Sequence, residues 1–269
     1  MRNGNVCVRG PPIQERVTGL KRKPISRPRL RRRREVRSSL FSLPPPELQP
    51  GESLGEFARR VMGGAIRSGQ LLPGEHLREA DVAEWLGISR TPVREAFHGI
   101  IADGLLVTGP WNGAMVAVLD QNQLVELYAV REVLEGAAAG LAATHASSAE
   151  VEQMVEIAAS ELAAANDPAK LVLINSELHR AIYAAAHNRY LLQSLSAVTD
   201  ALGLLRHSTF VLPGSVEQAR EEHLGIINWI RARNKKRAEE AARKHVSSSL
   251  ALRLKLIRGA DRVKRIAAS

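Results

Sequence analysis

The spacing of apolar and polar positions predicts that the chain is almost entirely helical after residue 120. Apolar residues recur there every three to four positions, as on one face of an α-helix, and no strand-like alternation interrupts them. Turn-forming residues divide this part into six predicted helices, over 121–145, 148–165, 168–187, 189–208, 215–233 and 235–257. We therefore predict an all-helical domain over 120–258, followed by a tail over 259–269.

The segment from residue 51 to residue 119 has a different pattern, which predicts three helices and then a β-hairpin. The hairpin is indicated by two short β-prone runs around a turn that contains Asn112 and Gly113. The third helix is expected to take a side-chain cap from Ser89 or Thr91. The predicted elements are helices over 53–69, over 79–86 and from residue 89 onward, and strands over 105–108 and 114–118. This order predicts a small domain of its own.

The first 50 residues are rich in Arg, Pro and Ser, a composition typical of disordered chains. The first 40 residues carry a net charge of +11 and the remainder −1, so the basic character of the chain belongs to this arm. The arm binds DNA phosphates, or it is a solvated tail or the product of a start codon assigned too far upstream. DNA binding must therefore be argued from motifs elsewhere. The single cysteine, Cys7, and the lack of a long apolar run fit a cytoplasmic protein without a membrane span.

The stretch Glu79–Ala96 predicts a helix-turn-helix, because a short helix, a glycine-containing turn and a second helix with a polar start follow one another. Arg90 and Arg94 lie four residues apart and share one face of the second helix. Arginine can donate two hydrogen bonds to guanine in the major groove, whereas Ser89, Thr91 and the helix N-terminal amides suit phosphate. The alternative is that both arginines lie on a solvated helix face and contact no DNA.

The run Leu86–Ala96, LGISRTPVREA, resembles the recognition motif of the GntR family of bacterial regulators. In that family a wing follows the recognition helix, as the predicted hairpin does here. The resemblance implies that Arg90 and Arg94 contact bases and that the wing tip, Asn112-Gly113, enters the minor groove. Many members have an arginine ten residues before the position of Arg90, where this chain has Ala80.

Three histidines of the second half, His179, His223 and His245, lie on apolar faces of three different predicted helices. Imidazoles inside a helical bundle need partners, because a buried polar group without one costs roughly 1–3 kcal/mol. A single buried histidine usually satisfies that need by hydrogen bonding within the core. Several converging imidazoles favour a divalent metal instead, and the pattern leaves both alternatives open.

The helical half resembles the FCD domain of the FadR-type branch of GntR regulators. The resemblance implies a divalent metal, such as Zn, Ni or Fe, held by Asn175, His179, His223 and His245. Asn175 stands where many members have Asp, and a neutral amide oxygen is a weaker ligand. The alternative is an empty pocket in which these residues bind the effector directly. The similar segments are 127–136, 178–186, 222–227 and 241–245.

Arg131 shares a helix face with Leu127 and Leu134 and is therefore expected to point into the domain. A buried guanidinium needs an acceptor. One possible acceptor is a nearby glutamate such as Glu135, four residues later. The other is the carboxylate of a bound organic acid, which would make Arg131 an effector-binding residue.

These observations predict a mostly α-helical protein in which a winged helix-turn-helix is followed by an FCD-like bundle. We expect a homodimeric repressor in the bacterial cytoplasm, associated with the nucleoid, which binds a palindromic operator and is released by a small carboxylate effector. One alternative is a metal-dependent hydrolase or lyase fused to a DNA-binding domain. Another is a DNA-binding protein without sequence preference that acts through its basic arm.

Overall fold

The computed structural model describes residues 38–109, 113–205 and 208–267, which form nine α-helices and three strands. These described residues belong to one compact unit. It begins with a winged helix made of α1 Leu54–Arg67, β1 His76–Arg78, α2 Glu79–Leu86, α3 Arg90–Ala102, β2 Leu106–Gly109 and β3 Gly113–Val116.

The winged helix is held by the apolar faces of its three helices and by a small antiparallel sheet of order β1-β3-β2. A reciprocal pair of hydrogen bonds between Ser53 and Glu56 caps the start of α1. Gly87 ends α2 with a φ of +68°, a left-handed conformation that glycine adopts without steric cost, and so turns the chain into α3. Phe57 and Ile66 of α1 and Ile100 of α3 are buried in the shared core.

The second half is an all-helical bundle, as predicted. Its helices are α4 Gln121–His145, α5 Ser148–Ala163, α6 Pro168–Ala185, α7 Arg189–Leu202, α8 Ser215–Arg231 and α9 Lys235–Ala267. Small residues on α4, among them Ala138, Ala139 and Ala142, are fully buried and let neighbouring helices approach closely. Among the described residues, no helix is long and apolar enough to cross a membrane.

One strand and two helix ends differ most from the sequence-based expectation. Strand β1 was missed, because three residues carry too little alternation and the strand exists through its pairing with β3. Helix α7 ends at Leu202 rather than near 208, and a short 3-10 helix, Thr209–Val211, follows. Helix α9 continues to Ala267, so the predicted tail over 259–269 is wrong for residues 259–267.

The predicted disordered arm is wrong at its C-terminal end, because a 3-10 helix, Ser39–Ser42, packs against the winged helix. Leu40 is only 3% exposed and belongs to the winged-helix core. The ring of Phe41 contacts that of Trp85 on α2, and the indole N–H of Trp85 donates to the carbonyl oxygen of Leu43 at 2.8 Å. The rest of the predicted arm, residues 1–37, lies outside the described residues.

We expect Leu40→Ala to lower the free energy of unfolding by about 2–5 kcal/mol, because it removes a buried side chain and leaves a cavity. Leu43→Ala is the matched control, since Leu43 is 49% exposed. Urea unfolding of the full chain measures both variants. Equal stabilities for Leu40→Ala and the wild type would show that the segment before α1 contributes nothing to the domain.

Candidate nucleic-acid interface and metal centre

The start of α3 presents an exposed polar surface. Ser89 occupies the N-cap position, but its side chain makes no capping hydrogen bond, contrary to the cap expected from Ser89 or Thr91. The first-turn amides of α3 therefore lack a side-chain acceptor, which is the arrangement that binds phosphate at helix N-termini. Ser89, Arg90 and Thr91 are all exposed.

The two arginines of α3 are in different situations. Arg94 donates to both carboxylate oxygens of Glu79 on α2, with nitrogen–oxygen distances of 2.9–3.2 Å. This hydrogen bonding raises the pKa of Arg94. Arg90, one turn earlier on the same face, is exposed and makes no hydrogen bond or ion pair with any residue that the structure describes. Arg90 is thus available to a partner, whereas Arg94 would have to leave Glu79.

The wing consists of β2 and β3, and only part of its predicted tip is described. Gly113 begins β3 and pairs with Gly109 of β2 and with Arg78 of β1. A Cβ at Gly113 would lie 2.5 Å from the carbonyl oxygen of Leu77, so only glycine fits between the two other strands. Asn112 lies outside the described residues.

The three predicted histidines meet in the interior of the helical bundle. His179 comes from α6, His223 from α8 and His245 from α9, and all three are buried. Their ring centroids lie 4.6–5.6 Å apart, and one ring nitrogen of each lies within 4.8 Å of the other two. Residues distant in sequence are thus brought to one centre.

Each of the three imidazoles is held by a carboxylate through its Nδ1 atom. His223 Nδ1 lies 2.6 Å from Glu161 Oε1. His245 Nδ1 lies 2.9 Å from Glu222 Oε2. The third contact, between His179 Nδ1 and an oxygen of Glu135, measures 3.0 Å. In metal sites of proteins, such carboxylates orient the ring and leave Nε2 to bind the ion.

The second ring nitrogens meet the chemical requirement for metal ligands. His179 Nε2 and His223 Nε2 are buried and have no hydrogen-bond partner among the described residues. Burial, followed by the field of the neighbouring imidazoles and Arg131, lowers the pKa of His245 to about 3. Burial also lowers the pKa of His179, against the opposing effect of Glu135. His179 and His245 are therefore neutral at pH 7 and offer lone pairs to a cation.

A cavity of about 640 Å³ opens beside the histidines, a size suited to a small-molecule ligand. His179 and His245 lie in its wall. Asn175, one helical turn before His179 on α6, lines the same cavity and is half-buried. Asn175, His179 and His245 thus border one cavity, and His223 lies beside the other two histidines in the interior.

Arg131 is buried, as its helix position predicted, and it lines the same cavity. Its guanidinium forms a close ion pair with Glu135, which also holds His179. Burial opposes ionisation of Glu135, but Arg131 and His179 outweigh it and lower the pKa of that carboxyl. The pair with Glu135 anticipated from the sequence therefore exists, and the same arginine borders the space open to a ligand.

The three carboxylates were not identified as a set from the sequence. A signal was present for Glu161, which lies on the apolar face of α5 between buried residues, an unusual place for a charged side chain. Glu222 directly precedes His223 but contacts His245. Its role depends on how α8 and α9 pack, which the local pattern does not contain.

Comparison with known proteins agrees with this two-part architecture. Residues 63–116 match the family model of bacterial regulatory proteins of the gntR family, and residues 126–248 match the FCD domain. The chain is 34% identical over 188 residues to the probable D-xylose utilization operon transcriptional repressor of Paenarthrobacter nicotinovorans, covering 69% of this chain and 82% of the relative. The chain belongs to the GntR family.

A further relative is similar in sequence, and two solved structures are similar in fold. The galactonate operon transcriptional repressor of Escherichia coli K12 is 28% identical and covers 70% of this chain and 92% of its own length. The fold matches that of E. coli McbR/YncC with a TM-score of 0.68 at 21% identity, covering 77% of this chain and 99% of that one. A GntR regulator of Rhodococcus sp. RHA1 matches with a TM-score of 0.62 at 22% identity, over 76% and 99%.

This GntR-family protein is a transcription regulator with an N-terminal DNA-binding domain and an FCD domain. The resemblance to GntR regulators with an FCD domain, based on LGISRTPVREA and on the helical half, is confirmed. The comparisons give no support to a hydrolase or lyase, because the family and the relatives are regulators rather than enzymes.

Proposed function

We propose that the protein is an operator-binding repressor whose FCD domain senses a small carboxylate at a metal centre. The observation that carries this proposal is the set of three buried imidazoles, each held through Nδ1 by its own glutamate, beside a cavity large enough for a metabolite. The unpartnered Nε2 atoms of His179 and His223 would otherwise cost stability, because buried polar groups are normally hydrogen-bonded.

The residues present fit a divalent transition metal. His179, His223 and His245 would hold it through nitrogen, and Asn175 would add a neutral amide oxygen. Three imidazoles suit Zn, Ni or Fe(II), and such an ion offers a further coordination position to an anionic ligand. The Nδ1–carboxylate contacts fix the tautomer and the orientation of each ring, so that the site is preorganised.

The cavity favours an effector that carries a carboxylate and hydroxyl groups. Arg131 supplies a positive charge that stays ionised, since the nearby Glu135 carboxylate raises its pKa against the effect of burial. Hydroxyl-bearing side chains also line the cavity and can hydrogen-bond a polyhydroxy acid: Ser176, Thr199, Ser208, Thr209, Ser215 and Ser249. One relative is named for galactonate, itself such an acid.

On the DNA side, we assign base contacts to Arg90 and Arg94 and phosphate contacts to Ser89 and Thr91. The wing tip, Asn112-Gly113, would reach the adjacent minor groove. A homodimer presents two such surfaces to a palindromic operator, because protein and DNA then share a two-fold axis. Such a regulator acts in the cytoplasm, at the nucleoid.

The effector class is tested by thermal unfolding of the Zn-loaded protein with D-galactonate, D-gluconate, lactate and citrate. We expect at least one acid to raise the melting temperature in a saturable way, because a ligand that binds only the folded state stabilises it. Galactitol, the uncharged polyol that matches galactonate, is the control. No shift with any acid, or equal shifts with galactitol, would contradict a carboxylate sensor.

The role of the glutamates is tested with Glu161→Gln. The amide keeps the size of the side chain but removes the charge that orients His223 through Nδ1, so metal affinity should fall about 10- to 100-fold. Glu150→Gln is the matched control, since Glu150 contacts the exposed His187 away from the cluster. Competition with a fluorescent zinc chelator measures the affinities. Unchanged affinity in Glu161→Gln would refute a supporting role for this carboxylate.

A further inference from the structure

The cavity beside the histidines is not enclosed by the FCD domain alone. Arg67, Ser68 and Gly69, at the end of α1 and just after it, line the cavity together with residues of the helical bundle. Helix α1 belongs to the winged helix, so the DNA-binding domain contributes part of the cavity wall. A ligand in the cavity would therefore lie next to both domains.

The end of α7 lies against the end of α1 and contributes to the same cavity. Thr199, Leu202 and Gly203 also line the cavity. The next residue, Leu204, is only 4% exposed and is buried in the core of the winged helix rather than in that of the bundle. One short segment of the FCD domain thus contacts the cavity on one side and the DNA-binding domain on the other.

The contact between α1 and α7 is tight. A Cβ at Gly203 would lie 2.8 Å from the Cα of Arg67, a distance that real Cβ atoms essentially never show, so the two backbones approach as closely as glycine allows. The guanidinium of Arg67 also lies 3.5 Å from a carboxylate oxygen of Asp200. Because close-packed interiors have low compressibility and transmit strain, a shift of α7 would press on α1.

We propose that the DNA-binding domain completes the effector site through residues 67–69, and that the junction of Arg67 with Gly203 transmits cavity occupancy to the winged helix. The inference rests on the proposed function. Beyond the proposed function, it gives a direct route of coupling from the cavity to the winged helix. In this route the effector has different affinities for two positions of α1. In this coupling, the histidines of the cluster and their glutamate partners serve only to hold the ligand.

The test uses full-length Gly203→Ala and a duplex selected from a random-sequence library with the wild-type protein. The added methyl group must push α1 away from α7, and we expect the dissociation constant for the duplex to change about 5-fold or more. Metal content should remain that of the wild type, because the histidines are untouched. Gly64→Ala is the matched control, since a Cβ at this position of α1 meets nothing within 4 Å.

A second variant keeps the inference testable if Gly203→Ala does not fold. Ser68 is exposed on the cavity wall, so Ser68→Trp adds an indole there without replacing a buried residue. We expect a similar change in duplex affinity, with metal content retained. Folded, metal-loaded variants that bind the duplex within about 2-fold of the wild type would overturn the coupling. A wild type that selects no duplex or binds no metal would instead overturn the proposed function itself.

Discussion

The double variant His179→Ala/His223→Ala is expected to lose its transition metal completely. The wild type should hold about one ion per chain, because three imidazole nitrogens meet at a preorganised centre. Removing two of the three leaves His245 and the amide of Asn175, too few ligands for a stable site. Elemental analysis of protein incubated with Zn and then dialysed measures the difference.

The matched control for this prediction is His98→Ala/His145→Ala, which removes two imidazoles from outside the cluster. Both residues are exposed, so the control tests whether loss of histidine alone lowers metal content. A metal-free wild type would contradict the metal centre and leave the buried imidazoles as ligands for the effector itself. Equal metal content in both double variants would place the ion elsewhere on the chain.

The second large effect is expected from Arg90→Ala, which should weaken binding to the selected duplex about 10- to 100-fold. An arginine bonded to both acceptors of a guanine edge is worth about 1–3 kcal/mol of discrimination. Arg90 is exposed at the start of α3 and available to DNA. Fluorescence anisotropy with the selected duplex and with a scrambled duplex measures both affinity and preference.

Arg231→Ala is the control for charge, because Arg231 is an exposed arginine of the FCD domain paired with Glu152. A base contact predicts that Arg90→Ala loses preference for the selected duplex over the scrambled one. A phosphate contact predicts a uniform loss on both duplexes and a shallower salt dependence. Unchanged affinity for both duplexes would refute any DNA contact by Arg90.

Periodicity predicted most helices of this fold, because the apolar positions that form a helix face recur within a short stretch of sequence. The helices over 121–145 and 79–86 were predicted with the bounds that the structure has. Strand β1 was not predicted, because it is only three residues long and is defined by its pairing with β3, which lies far along the chain. Leu40 was missed for a related reason, because one apolar residue in a polar, proline-rich stretch carries no periodicity.

The candidate metal centre could be predicted only in part. His179, His223 and His245 each lie on an apolar helix face, and an imidazole in that position already requires a partner. The partners themselves come from other helices: His223 contacts Glu161 of α5, and His245 contacts Glu222 of α8. Such pairings follow from how helices cross, which single-helix patterns do not encode.

The situation of Arg94 illustrates the same limit on the DNA side. Its spacing from Arg90 placed both arginines on one face of the recognition helix. The carboxylate of Glu79, fifteen residues earlier, accepts hydrogen bonds from the Arg94 guanidinium because α2 and α3 pack against each other. The spacing in the sequence predicts the direction in which the Arg94 side chain points. The residue that it contacts depends on how the helices pack.

The most direct test of a ligand-responsive regulator is to titrate the selected duplex with metal-loaded protein, with and without the acid that most raises its melting temperature. We predict that the saturating acid weakens operator binding at least about 5-fold, the lower end of typical coupling between two sites. The same acid should have no effect on the His179→Ala/His223→Ala variant. An operator affinity that the acid leaves unchanged in the wild type would contradict the account.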